Sequence, residues 1–78
     1  MNKDFVQTFI KIVQLRTISG AAEALFTSQS TISYRLQSLE DELNVQLLKR
    51  QRGNKTVILT EQGLRFYQLA LEWLELEK

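Results

Sequence analysis

Residues 19–43, SGAAEALFTSQSTISYRLQSLEDEL, divide into two short amphipathic segments joined by a tight polar turn. Counted at about 100° per residue from Gln29, Ile32, Leu36, Leu39 and Leu43 of the second segment fall within a sector of roughly 60°, the spacing of one buried helix face. Ser30, Tyr34 and Gln37 fall almost opposite, with Thr31 and Ser33 on the flanks. Ser30, Thr31, Ser33 and Tyr34 are not strong helix formers, so propensity alone does not account for an outer face built from them. Short hydroxyl and amide side chains near a helix N-terminus do suit hydrogen bonds to phosphates and base edges. Ser28 can cap this helix, leaving Gln29 and Ser30 at the positive end of its dipole. The whole segment has the sequence form of a helix-turn-helix, whose second helix is shaped to enter the major groove of DNA.

The flanking segments have the form of support for that pair. Residues 4–16 place Phe5, Phe9, Ile12 and Val13, with Val6 and Leu15 nearby, on one helical face, a first helix that roofs the motif. The second helix is expected to be capped by Ser19, and its small residues Ala21, Ala22 and Ala24 allow close approach of a neighbour beside Ile18 and Leu25. Residues 26–28 form the turn. After Leu43, Asn44 is placed to adopt the left-handed conformation that ends many helices. The period then changes: VQLLKRQ and KTVILT flank a polar segment containing Gly53 and Asn54, which predicts a β-hairpin.

Thr60 is expected to cap a last helix with Glu61 in its first turn. Two apolar stripes run along that helix. Leu64, Tyr67, Leu71 and Leu74 form one, and Phe66, Leu69, Trp73 and Leu76 form another on nearly the opposite side. One stripe suffices for a helix lying on a monomer, so the second is expected to meet a partner copy or a downstream domain.

Seventy-eight residues make one small domain. With no Cys and no His, neither disulfides nor the usual zinc and acid–base constellations are available, and no Gly-rich phosphate loop occurs, so neither an enzyme nor a cofactor is expected. No apolar run approaches the roughly 18 residues needed to span a bilayer, and the first residues lack a signal-peptide profile, so the expectation is a soluble cytoplasmic protein without membrane contact. The net charge of +1 is low for a nucleic-acid binder, but its distribution is uneven. Lys49, Arg50, Arg52 and Lys55 fall within seven residues, and no acidic residue lies between Leu43 and Thr60. A basic hairpin of this kind, a wing at 49–55, would add sequence-tolerant affinity along the backbone or in the minor groove.

The order and spacing of SGAAEALFTSQSTIS, LQSLEDELNVQLL, KRQRG and ILTEQG are similar to those of the N-terminal DNA-binding region of LysR-type transcriptional regulators, along essentially the whole chain. The resemblance implies a mainly α fold: a winged helix-turn-helix over 1–60, with a three-helix core and a two-stranded β wing, followed by a long linker helix over 61–78. It implies a bacterial, nucleoid-associated transcription factor that binds double-stranded DNA, with recognition helix 29–42 in the major groove. It also implies a homodimer formed through the linker helix, for which Phe66, Leu69, Trp73 and Leu76 are the candidates. The family's DNA-contacting stretch falls on Thr27, Ser28, Gln29, Ser30, Ser33 and Tyr34, with Thr31 beside them and Gln37 one turn on.

From chemistry, the Gln29 amide can pair bidentately with adenine, Ser28 and Ser33 suit phosphate oxygens, and Arg50, Arg52 and Lys55 suit the backbone or minor groove. The chain departs from the family at Ser30, where Pro is common, and at Tyr34, where Arg is common, leaving Arg35 as a candidate substitute. Asn44 replaces a usual Gly, and the loop over 50–56 is longer than usual. Such regulators carry a C-terminal domain that binds a small-molecule effector; this chain ends in the linker helix and is expected to be a piece of a longer protein. The low net charge and surplus apolar stripe support an alternative from a different class, a winged-helix protein-interaction module.

Overall fold

The computed structural model describes residues 1–51 and 55–76. The elements run α1 (Lys3–Leu15), α2 (Ile18–Ala24), α3 (Gln29–Leu43), β1 (Leu48–Arg50), β2 (Val57–Leu59) and α4 (Glu61–Leu76). The architecture is the expected one, mainly helical with a two-stranded antiparallel wing and a closing helix. The strands pair Leu48 with Leu59, Lys49 with Ile58 and Arg50 with Val57, and are shorter than the apolar segments that predict them. The turn expected at Gly53 and Asn54 lies outside the described residues.

Local chemistry sets most helix ends. The Asn2 side chain accepts from the Asp4 and Phe5 amides at the start of α1. Ser28 accepts from the Thr31 amide at 3.1 Å, Thr60 accepts from Gly63 at 2.9 Å, and Asn44 closes α3 with φ 56°. Ser19 is not the cap of α2. Thr17 is, with its hydroxyl accepting from the Gly20 amide at 2.9 Å, and Ser19 lies within the first turn. Thr17 is extended because it forms a β-bridge with Thr56, while the Val57 amide donates to the Arg16 carbonyl at 2.9 Å. The wing is thus stitched to the α1–α2 connection.

The core joins Val6, Phe9 and Ile12 of α1 to Ala21 and Ala22 of α2, Ile32 and Leu39 of α3, Leu47, Val57 and Ala70. Ile10 and Thr8 are also buried, whereas Leu15 is exposed. Glu40 organises the entry to the wing, its carboxylate accepting from the Leu47 amide at 2.6 Å and the Leu48 amide at 3.4 Å.

α4 turns neither predicted stripe inward. Its packed face is centred on the buried residues Gly63 and Ala70, with Phe66, Tyr67, Trp73 and Leu74 on both shoulders packed against the core. The Phe9 ring lies 5.4 Å from Phe66 and 6.3 Å from Tyr67. Two small residues let the helix backbone approach so closely that side chains of both stripes reach the core. Phe66 and Trp73, expected to meet nothing in this chain, therefore pack within it. Leu69 and Leu76 remain exposed on one flank, and Leu64 and Leu71 on the other.

Candidate nucleic-acid interface

The outer face of α3 opens with a cluster of hydroxyls. The Ser28 Oγ lies 3.1 Å from Ser30 Oγ and 2.9 Å from Thr31 Oγ1 while capping the helix. Thr27, just before it, is anchored by its amide to the Ala22 carbonyl at 3.0 Å. One turn further, Ser33 accepts a hydrogen bond from the Arg50 guanidinium of β1 at 3.3 Å. This bond links the helix face to the base of the wing, so that the two form one continuous polar surface.

Between the starts of α2 and α3 and the wing lies a recess lined by Ile18, Ser19, Gln29, Arg50 and Lys55. Two cations and two neutral polar side chains around one hollow form a surface suited to an anionic backbone. Arg52 lies outside the described residues.

The opposite flank is tied to α1. Arg35 donates to the buried Thr8 hydroxyl at 3.3 Å, and that hydroxyl in turn donates to the Asp4 carbonyl at 2.8 Å. Arg35 is half-buried at the α1–α3 seam, with its guanidinium turned toward Thr8. Sequence inspection missed Thr8 as its anchor; the visible signal was a hydroxyl on the apolar face of α1. Gln37 donates to Asp41 at 2.9 Å along its own helix. The Gln29 side chain makes no hydrogen bond among the described residues and is exposed, so its side-chain amide faces outward partners.

The ring contact of Tyr34 and the backbone conformation of Phe26 were not legible in the sequence. Tyr34, 67% exposed, packs edge-to-face against Phe5 of α1, with ring centroids 6.1 Å apart. Phe26, in the turn before α3, is 95% exposed with φ 56°, a conformation that bulky side chains rarely adopt. No helix among the described residues is long and apolar enough to cross a membrane, and these residues contain no His/Cys/Asp/Glu group that could hold a metal.

The chain matches the model of the bacterial regulatory helix-turn-helix proteins of the lysR family over residues 4–64. It is 35% identical over 74 residues, 95% of this chain and 27% of the relative, to the HTH-type transcriptional activator AllS of Klebsiella pneumoniae. It is 39% identical over 54 residues, 69% of this chain and 19% of the relative, to the HTH-type transcriptional regulator HdfR of Salmonella newport. It thus spans about a quarter or less of the length of these curated relatives. Among solved structures, a CbnR DBD–DNA complex superposes with TM-score 0.92 at 32% identity, covering 99% of this chain and 86% of that one. A BenM DBD complex with catB site 1 DNA gives 0.87 at 35% identity, covering 96% and 78%.

Proposed function

Because this chain belongs to the lysR family of bacterial regulatory helix-turn-helix proteins, we propose that it is a sequence-specific double-stranded DNA-binding domain of a transcriptional regulator. In this reading α3 lies in the major groove and the wing runs along the backbone or minor groove. The observation that carries it is the Arg50–Ser33 hydrogen bond, which aligns the basic wing with the polar face of α3. Solved relatives of the same fold are complexes with DNA, which supports the assignment.

Gln29, exposed and free to pair, is the base-edge reader, suited by its amide to adenine. Ser28 and Ser33 position phosphates, as do Arg50, Lys55 and, by its place in the sequence, Arg52. The protein works in the cytoplasm without catalysis. In the longer regulator, α4 leads to an effector-binding domain.

Binding to duplex DNA is expected to weaken steeply with salt, log affinity falling by about 0.9 per decade of salt for each phosphate neutralised. A mobility shift titrated across salt tests this, and no shift at low salt would favour the protein-interaction module instead. Gln29→Ala should cost about 1–3 kcal/mol at one base position and relax preference there, whereas Arg50→Ala should weaken all sequences alike. Equal losses on specific and random DNA for Gln29→Ala would remove its reading role.

The longer regulator dimerises through α4, and the exposed flank leucines carry the contact. Sedimentation of Leu69→Glu with Leu76→Glu should show a lighter species than wild type. Trp73→Glu would be a poor probe, because Trp73 packs against its own core. Equal sedimentation of wild type and the double variant would exclude that flank.

A further inference from the structure

Most polar side chains on the outer face of α3 are already engaged. Ser28, Ser30 and Thr31 bond one another, Ser33 is held by Arg50, Gln37 by Asp41, and Arg35 by Thr8. Tyr34 is different. Its hydroxyl has no hydrogen bond among the described residues, its ring is 67% exposed, and Phe5 holds that ring edge-to-face at 83°. The Phe5 main chain is held in the first turn of α1, where its amide donates to the Asn2 cap at 3.3 Å, and its side chain is half-buried. A long side chain that would otherwise sweep several rotamers is thereby presented in one orientation.

We infer that Tyr34 is a base-specifying residue for thymine and that Phe5 is the positioning residue that holds its ring; the inference rests on the DNA-binding reading above. In the major groove thymine presents a 5-methyl group beside the O4 acceptor, the one base edge that is half apolar. A tyrosine edge matches it, with ring carbons against the methyl and one hydroxyl donor toward O4. Guanine presents two acceptors that call for a two-pronged donor, which a single hydroxyl cannot supply.

The test is selection of bound sequences from a random duplex pool by wild type, Tyr34→Phe, Tyr34→Ala and Phe5→Leu, with thermal unfolding of each variant recorded. Wild type should enrich thymine at one base pair. Tyr34→Ala should lower that preference by about fourfold, the worth of one buried methyl group, and leave the other positions unchanged. Tyr34→Phe should keep part of it, because the methyl contact survives while the donor to O4 is lost. Phe5→Leu, with unchanged unfolding temperature, should blur the same base pair without weakening binding to random DNA. A Tyr34→Ala profile identical to wild type at every position, or guanine in place of thymine at the affected pair, overturns the thymine role. A sharp Phe5→Leu profile overturns the positioning role. Wild type that enriches nothing removes the DNA-binding reading, and the inference with it.

Discussion

Phe9→Ala is expected to remove a large share of this protein's stability. The Phe9 side chain is fully buried and touches both Phe66 and Tyr67 of α4, while its helix also packs against α2 and α3. Removing a buried Phe ring costs about 3–5 kcal/mol, from lost transfer free energy and from the cavity that remains. A domain of this length has a total stability of about 4–12 kcal/mol at 0.05–0.15 per residue, so one ring accounts for a large share. Phe66→Ala should cost less, because Phe66 is only half-buried. Urea unfolding followed by circular dichroism measures both. A loss below about 1 kcal/mol for Phe9→Ala would show that α4 and the three-helix core are not joined through this ring.

Gly63→Ala is expected to destabilise the fold by about 3 kcal/mol, although a helix interior ordinarily gains about 1 kcal/mol from that change. A Cβ at Gly63 would overlap the backbone carbonyl of Leu47. That carbonyl cannot easily retreat. It accepts from the Thr60 amide at 3.0 Å, and the Thr60 hydroxyl donates to the adjacent Gln46 carbonyl at 2.6 Å, the bonds that lead the chain from the wing into α4. The helix must shift instead and drag Phe66 and Ala70 from the core. Gly20→Ala is the informative contrast. There the added carbon would lie 2.6 Å from Thr17 Oγ1, a side-chain atom that can rotate away at the loss of one cap bond. Thermal unfolding should therefore rank Gly63→Ala well below Gly20→Ala, and equal midpoints would contradict the close approach of α4.

The helix-turn-helix and the wing were legible in the sequence because their signals are local. The apolar period of α3, the Ser28 and Thr60 caps and the left-handed Asn44 each depend on residues within about one helical turn. The candidate site was legible in the same way as a list of residue types: Gln29, Ser33, Tyr34 and Arg50 stand out by chemistry and position. Which of them remain free to reach outward was not legible, since that depends on partners elsewhere in the chain.

Sequence alone therefore determined the order of elements, the face of α3 that turns away from the core and the basic character of the wing, because helical period and charge are written residue by residue. Tertiary structure decided the rest. Thr17 rather than Ser19 caps α2 because Thr56 draws it into an extended bridge. Arg35 turns to Thr8, 27 residues away, and Arg50 to Ser33, 17 away. α4 buries parts of both its stripes because Gly63 lets its backbone approach Leu47 and Ala70 is buried in the core between the two. Each of these contacts is made between elements distant in sequence, and only the packed chain sets their separations.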